Sequence, residues 1–254
     1  MVLLPDRISL REKLILAGLF LAKYDIAGLK ALGFESFLEA FNVIGYGLGA
    51  KPASIKNYRD EFDPLFPNSR KGWHKRPTRD YCLKVFEVYK DLDFSVFTGL
   101  IKSFGGFDEN ALSQNVDDGC TADGESQFAK RLITGLAAER YFECVHTRIQ
   151  EFKDLKLQNT SRLGCGYDFQ LQHEGQEAFL AVEVKGLKDR SGSISMTPKE
   201  HAVAAMLRDR FYLFVVKNFR ETPFHEVYQD PLSSSLLFTK QERAVVQVSW
   251  LTTV

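Results

Sequence analysis

Two acidic residues and one lysine stand in stretches that otherwise have the character of hydrophobic core. Glu183 and Lys185 lie in the apolar run 178–186, which is partly β-branched, and Asp168 lies upstream of it. Such a run predicts a strand. Because side chains alternate across a strand, Glu183 and Lys185 are expected on one face and their apolar neighbours on the other. Sheets rarely bury charge without a partner or a function, so the pair marks a candidate site.

The chemistry of this site depends on whether Asp168 meets Glu183. A short strand is predicted over 167–172, from which a hairpin would bring the two carboxylates together. At about 4 Å they would repel by roughly 4 kcal/mol at an effective dielectric of 20, a cost that a shared proton or a divalent cation removes. Carboxylate oxygens and the carbonyl of Val184, completed by water and substrate phosphate, favour Mg²⁺ or Mn²⁺.

Lys185 would then serve hydrolysis of a phosphodiester. Its ammonium could orient an attacking water and offset negative charge in the transition state. Acyl transfer is less well supported, because no serine or cysteine nucleophile with a paired histidine stands out. The alternative is a structural ion pair between Glu183 and Lys185, which contributes about 1 kcal/mol at most if it is exposed.

The bulk properties allow one large domain or two small ones. The chain has 254 residues, is 44% hydrophobic, and balances 33 basic against 33 acidic residues. No apolar run approaches the length of a membrane span and the N-terminus lacks a signal-peptide pattern, so a cytoplasmic protein is expected. The four cysteines have no CxxC spacing, which argues against a zinc or redox centre.

The elements expected to position the site form an alternating series. A helix over 128–149 places Glu139 on or beside its buried face. Strands are predicted at 155–160, 167–172 and 178–186. Thr197-Pro198-Lys199-Glu200 has the pattern of a capping box that opens a helix to about residue 210, and Glu200 is most economically the reciprocal cap. Strands at 211–216 and 244–250 follow. This order predicts α/β layers around a mixed sheet.

The N-terminal part has a different character. Helical patterns over 9–24, 26–32 and 35–46 are followed by a glycine-containing turn and a short helix over 53–62, the outline of a helix-turn-helix. The segment between residues 51 and 79 contains eight basic and three acidic residues. The DNA-binding interpretation assigns contacts to Lys51, Ser54, Lys56, Asn57, Arg59, Arg70, Lys71, Trp73, His74, Lys75 and Arg76. The alternative is a small helical domain with an ordinary solvated surface.

These patterns predict an α+β or α/β chain of two domains. Residues 1–104 would form a helical, helix-turn-helix-like DNA-binding domain, closed by the helical pattern over 78–102. Residues 105–127, rich in glycine and acidic side chains, would form a linker. Residues 128–254 would hold the site and its mixed sheet flanked by helices.

Asp168, followed after a hairpin by Glu183-Val184-Lys185, resembles the catalytic signature of the PD-(D/E)XK nuclease superfamily. The flanking pattern is similar to the endonuclease-like domain typified by the C-terminal region of the plant NO VEIN protein, which also occurs in microbial restriction and defence proteins. The resemblance covers roughly 128–254. It is carried by Gly135-Leu136-Ala137-Ala138-Glu139, Gly166-Tyr167-Asp168, Glu183-Val184-Lys185-Gly186, Thr197-Pro198-Lys199-Glu200 and Tyr212-Leu213-Phe214-Val215-Val216-Lys217-Asn218.

The resemblance implies a restriction-endonuclease-like fold, a magnesium-dependent site and DNA as substrate. Asp168 and Glu183 match the metal-binding acids, Lys185 the catalytic lysine, and Glu139 an acid that helps to bind metal in many members. Tyr167 stands where the signature has proline. The leading hypothesis is a restriction-type endonuclease acting on double-stranded DNA as a homodimer. The alternatives are a DNA-binding protein whose nuclease-like fold is inactive or needs a partner, and a nuclease for RNA or repair intermediates.

Overall fold

Among its described residues, the N-terminal half of the molecule contains a group of five α-helices. The computed structural model describes residues 8–70, 72–73, 75–104 and 122–242, with the side chains of 122–133 excepted. The helices are α1 (Leu10–Ala31), α2 (Phe37–Gly47), α3 (Pro52–Phe62), α4 (Asp80–Tyr89) and α5 (Phe94–Ser103). The helical pattern over 78–102 is therefore two helices, and Asp93 caps the second by accepting from the Ser95 amide.

Helix α1 contains a break where two helices were predicted. It begins with a capping box between Ser9 and Glu12, and Asp25 has non-helical φ and ψ angles of 48° and −127°. The segments on either side correspond to the predicted helices 9–24 and 26–32. The first is mostly buried along its length and forms the centre of the helical core.

The two helices of the predicted helix-turn-helix outline are present as α2 and α3. Ile55 and Phe62 are fully buried on the inward face of α3, which packs against α1 and α2. Lys51 precedes α3, and Pro52 occupies its first turn, where a missing N–H costs no hydrogen bond. The sequence pattern therefore identified both the two helices and the buried stripe of the second one.

The second half is built on one long helix and a five-stranded mixed sheet. Helix α6 (Ala122–Val145) begins within the stretch predicted as a linker; residues 105–121 of that stretch lie outside the described residues. The strands are β1 (Lys156–Asn159), β2 (Phe169–Gln172), β3 (Phe179–Gly186), β4 (Phe211–Lys217) and β5 (Phe224–Gln229), and α7 (Pro198–Leu207) connects β3 to β4.

The strands follow chain order across the sheet. The pairs β1–β2, β2–β3 and β4–β5 are antiparallel, while β3 and β4 are parallel. The α7 connection allows this parallel pair, since parallel neighbours need a crossover. Strand β5 was not predicted, because its polar His225 and Glu226 weaken the apolar pattern. The predicted strand 244–250 lies in the part of the chain that the structure does not describe.

The two faces of the sheet have different covers. Val182 and Val184 join the large core that includes Ala138 and Phe142 of α6. Ala181 of β3 packs instead with Ala204 of α7. By the alternation of a strand, Glu183 and Lys185 share the opposite face from Val182 and Val184, as the sequence predicted, and this is the face that α7 covers.

The two halves contact each other directly. Helix α2 packs on α6, and the buried Asn42 side chain donates to the carbonyls of Phe219 at 2.8 Å and Glu221 at 2.6 Å. Lys188 reaches Glu35 and lies 3.6 Å from Glu39. The division into domains at 104 and 128 remains a prediction. Among the described residues, no helix is long and apolar enough to cross a membrane.

Candidate functional site

Asp168 lies where β2 and β3 begin to separate. Its backbone N–H donates to the carbonyl of Val182 at 3.0 Å, which continues the ladder by one residue beyond β2. Its side chain then takes the place of a ladder partner, because Oδ2 accepts from the Val184 amide at 2.9 Å. The hairpin therefore brings Asp168 to the strand that carries Glu183, as the sequence predicted.

The same hydrogen bonds define the direction of the Val184 carbonyl. The N–H and C=O groups of one residue in an extended strand project towards the same neighbouring strand. Since the Val184 amide points towards Asp168, its carbonyl also projects to the β2 side, beyond the end of β2. The carbonyl of Val184 and the carboxylate of Asp168 thus lie on the same side of β3.

Lys185 connects two carboxylates from different elements. Its Nζ lies 2.6 Å from Oε1 of Glu183 and 2.7 Å from Oε2 of Glu200. Glu183 is only 4% exposed. The pKa of Glu183 is raised to about 9 by burial and by the charges of Asp168 and Glu200, against the opposing effect of Lys185. A buried acid is thus held beside an ammonium in otherwise apolar sequence.

The other charged groups of the site respond to the same environment. Burial raises the pKa of Asp168, although its hydrogen bond from the Val184 amide and the charge of Lys185 act in the opposite direction. Burial lowers the pKa of Lys185, but Glu183 and Glu200 more than compensate, so that the pKa is raised overall. The cluster favours a protonated lysine and penalises a full set of ionised carboxylates.

Glu139 on α6 belongs to the edge of this cluster. The residue is half-buried, and its pKa is raised to about 7 by burial and by the charges of Asp168 and Glu143, against the effects of Arg140 and Ser161. It is therefore electrostatically linked to Asp168. This places Glu139 as predicted from sequence, on the helix beside the site.

Two glycines allow helices to approach the site closely. A Cβ on Gly186 would lie 2.7 Å from the carbonyl oxygen of Thr134 on α6. Gly166 has a φ of +94°, and its added Cβ would lie 2.9 Å from Val203 Cγ2 on α7. Both positions belong to the motifs quoted from sequence, and both hold α6 and α7 against the strand ends that carry the charged residues.

The donor set determines how a metal could be held. In the described residues, no group of three or more His, Cys, Asp and Glu side chains is arranged to hold a metal ion alone. The predicted set needs fewer side chains: Asp168, Glu183 and the Val184 carbonyl. The contacts above engage Oδ2 of Asp168 and Oε1 of Glu183, and do not engage the second oxygen of either carboxylate. Oxygen ligands of this kind, completed by water, fit Mg²⁺ or Mn²⁺.

Part of the predicted DNA-binding set is exposed along α3 and the following loop. Lys51, Lys56, Asn57, Lys75 and Arg76 are exposed, while Ser54 and Trp73 are half-buried. Lys56 pairs with Asp60 at 2.9 Å. The Arg76 guanidinium lies 4.3 Å from the Trp73 ring centroid, and the Trp73 amide donates to the Asp60 carbonyl, which ties the loop to α3. Lys71 and His74 lie outside the described residues.

The prediction that Arg59 faces solvent or a ligand is wrong. The residue is 9% exposed, because it follows Ile55 by four positions and therefore shares its buried face. Its guanidinium lies 4.9 Å from the Phe37 ring centroid and 5.0 Å from that of Phe41. Nη2 donates to Asp60 at 2.6 Å. Arg59 thus joins α3 to α2 instead of facing outwards.

Arg70 also has structural partners. Nη2 donates to Oδ1 of the buried Asp63 at 2.7 Å, and Nη1 donates to Asp25 at 2.5 Å. The guanidinium therefore links the loop, the end of α3 and the break in α1. This arrangement makes Arg70 a less accessible phosphate ligand than Lys75 or Arg76. The local excess of positive charge counted from sequence is thus partly neutralised.

The contact between Glu200 and Lys185 is the feature that sequence reasoning missed. The capping box of Thr197 and Glu200 is present as predicted, and that local role appeared sufficient for Glu200. The available signal was the short connection from β3 to an acid in the first turn of the next helix. Only the packing of α7 on the β3 face shows that this acid reaches Lys185.

Comparison with known proteins shows a family similarity for part of the chain. Neither the curated proteins nor the solved structures include a match to it. Residues 138–229 match the family described as Protein NO VEIN, C-terminal. The matched region begins beside Glu139, ends with β5 and contains Asp168, Glu183, Lys185 and Glu200. It covers less than half of the 254-residue chain, so the helices α1 to α5 lie outside this similarity.

Proposed function

We propose that the protein is a metal-dependent DNA endonuclease. Its active site for phosphodiester hydrolysis would be formed by Asp168, Glu183 and Lys185. The observation that carries this proposal is the pairing of the Lys185 ammonium with the buried Glu183 on β3. The amide of Val184, between these two residues, donates to Asp168. A structural ion pair would not require a third acid at the same strand end.

The site residues fit a divalent cation of the magnesium or manganese type. Asp168, Glu183 and the carbonyl of Val184 would hold it, and Glu139 would assist from α6. When bound, the cation would supply charge stabilisation to the phosphoryl oxygens and an acidified water. The raised pKa values of Asp168 and Glu183 support this assignment, because burial and neighbouring negative charges disfavour the ionised form of both carboxyls, and a bound cation would favour it.

Lys185 would orient the attacking water and offset the negative charge of the phosphorane-like transition state. Its raised pKa supports a role as a cation and proton donor through hydrogen bonds. Glu183 holds the ammonium of Lys185 on the α7 face. The ammonium therefore stays close to the proposed metal ligands. The reaction would need no covalent intermediate with the protein.

The element order supports placing this site in the PD-(D/E)XK superfamily with a restriction-endonuclease-like domain. Helix α6, three antiparallel strands, helix α7 and parallel β4 follow one another as that resemblance implies. The family match to residues 138–229 supports the same assignment. A DNA-binding module and a nuclease domain in one chain favour a restriction or defence role. A homodimer would cut both strands.

The helix-turn-helix would bind double-stranded DNA through the exposed part of α3. Lys51, Ser54, Lys56 and Asn57 would face the major groove and its phosphates, and Lys75 and Arg76 would contact the backbone. Arg59 and Arg70 would instead hold α3 in place, given their contacts with α2 and Asp63.

Incubation of supercoiled plasmid with the purified chain and Mg²⁺ tests the proposal. We expect nicking or linearisation, which chelation of the metal abolishes. Glu183→Ala should remove cleavage while DNA binding in a mobility-shift assay remains. Glu177→Ala, an exposed acid in the preceding turn, is the matched control and should cut normally. No cleavage of either methylated or unmethylated plasmid by the wild-type chain would contradict the proposal.

A further inference from the structure

We infer that Glu200 is a positioning residue for Lys185, so that the N-terminus of α7 sets the place of the catalytic lysine. This inference rests on the proposed nuclease function. It goes beyond that function because it assigns a role to a residue that the signature of Asp168, Glu183 and Lys185 does not contain.

The first support is the number of partners around the ammonium. A lysine side chain has a flexible four-carbon stem, so a single partner leaves its head group considerable freedom. Nζ of Lys185 has one carboxylate partner on its own strand, at 2.6 Å, and one on α7, at 2.7 Å. Two anchors on separate elements restrict the ammonium far more than the Glu183 contact alone.

The second support is that Glu200 is itself held in place. Its Oε2 accepts from the backbone N–H of Thr197 at 3.0 Å, and its own N–H donates to Thr197 Oγ1 at 3.2 Å. The oxygen that completes the capping box is the same oxygen that contacts Lys185. The Glu200 carboxylate therefore connects the start of α7 directly to the Lys185 ammonium.

The third support is that Glu183 and Glu200 have different proposed roles. Glu183 is assigned to the metal, and a carboxylate that binds a cation has less charge to offer Lys185. Glu200 is not among the proposed metal ligands, and its Oε2 accepts from both the Thr197 amide and Lys185. Glu200 can therefore retain Lys185 when Glu183 is engaged. A capping role alone would require only the Thr197 hydrogen bonds.

The contact can be tested without any cleavage by observing lysine ammonium groups in ¹H–¹⁵N spectra of ¹⁵N-lysine protein. A restrained, hydrogen-bonded ammonium should give a signal that Lys185→Met removes and thereby assigns to Lys185. Glu200→Gln keeps an acceptor for the Thr197 amide but removes the charge, and should abolish or strongly shift that signal. Thr197→Ala weakens the cap without removing the carboxylate, and should lower the melting temperature while the signal remains.

The role in catalysis is tested by single-turnover cleavage in a double-mutant cycle. Glu200→Gln should slow cleavage by about 10-fold or more at saturating DNA, with DNA affinity unchanged. In a Lys185→Met background the same substitution should have no further effect, since Glu200 acts through Lys185. A purely structural role would instead give additive losses.

The outcomes separate this inference from the proposed function. An unchanged Lys185 signal in Glu200→Gln overturns the inference even if the wild-type chain cuts DNA, and so do additive losses in the cycle. A lost signal together with non-additive cleavage supports it. If the wild-type chain does not cleave at all, the nuclease proposal fails, and with it the catalytic role of Glu200, while the spectra still decide whether Glu200 restrains Lys185.

Discussion

At the scale of single residues, burial gives the charged cluster its properties. Glu183 would be an ordinary acid on an exposed strand, but at 4% exposure its pKa rises to about 9. Lys185 remains a cation because two carboxylates outweigh the effect of its burial. The residue types and their spacing were therefore readable from sequence, whereas the strength of their coupling depends on packing that brings Asp168 and Glu200 to the same strand.

The pH dependence of metal-free stability follows from Glu183. Its folded-state pKa of about 9 lies above the ordinary 4.5, so between these values the folded chain keeps a proton that the unfolded chain has lost. Stability from this group is thus complete below about pH 4.5 and declines as pH rises towards 9. Glu183→Gln should remove that decline and stabilise the metal-free protein at pH 8 by on the order of 1–3 kcal/mol.

Denaturant unfolding of both proteins in chelator at pH 5 and pH 8 measures this effect. The stability difference between Glu183→Gln and the wild type should be larger at pH 8. An equal difference at the two pH values would show that Glu183 does not hold a proton in the folded state.

At the scale of elements, the site depends on how closely α6 and α7 approach the sheet. Most of the helices, the strands β1 to β4 and the capping box were predictable, because periodicity and cap chemistry are local properties. The inward turn of Arg59, strand β5 and the reach of Glu200 were not. Each depends on a partner distant in sequence: Phe37 for Arg59, β4 for β5, and Lys185 for Glu200.

Gly186→Ala tests the approach of α6 to the end of β3. The new methyl group would lie 2.7 Å from the Thr134 carbonyl oxygen, which forces the helix and strand apart. We expect a loss of about 1–3 kcal/mol in unfolding free energy, as for overpacked cores, and slower cleavage because Glu139 moves with α6.

Gly99→Ala in α5 is the matched control for this substitution. Its added methyl group meets no atom within 4 Å among the described residues. It should be neutral or stabilise the protein by about 0.5–1 kcal/mol, since alanine favours helix. A Gly186 variant as stable as the Gly99 variant would contradict the proposed close packing.

At the scale of the whole molecule, α2 and the residue two positions before it, Glu35, contact the loops that follow β3 and β4. Asn42 of α2 caps two carbonyls of the 219–221 segment. Glu35 binds both Lys188 and Arg220. Because Lys188 lies three positions after Lys185, the proposed recognition and cleavage elements would share one framework. We therefore expect cleavage at a fixed offset from the bound sequence.

Asn42→Ala should destabilise the protein by about 1–3 kcal/mol, because it leaves the buried carbonyl of Phe219 and the part-buried carbonyl of Glu221 without their side-chain donor. Thermal and denaturant unfolding measure the loss. Asn57→Ala on the exposed side of α3 is the control: it should leave stability unchanged and weaken DNA binding. Equal stability of the two variants would argue against a structural role for the Asn42 contact.

The most direct test of the proposed nuclease site compares two lysine variants in Mg²⁺-dependent cleavage of the same DNA. Lys185→Met should reduce the single-turnover rate by about 100-fold or more, as expected for loss of a group that assists proton transfer and charge stabilisation. Lys199→Met, which alters an exposed lysine in the first turn of α7, should cut at close to the wild-type rate. Equal rates for Lys185→Met and the wild type would contradict a catalytic site at Asp168, Glu183 and Lys185.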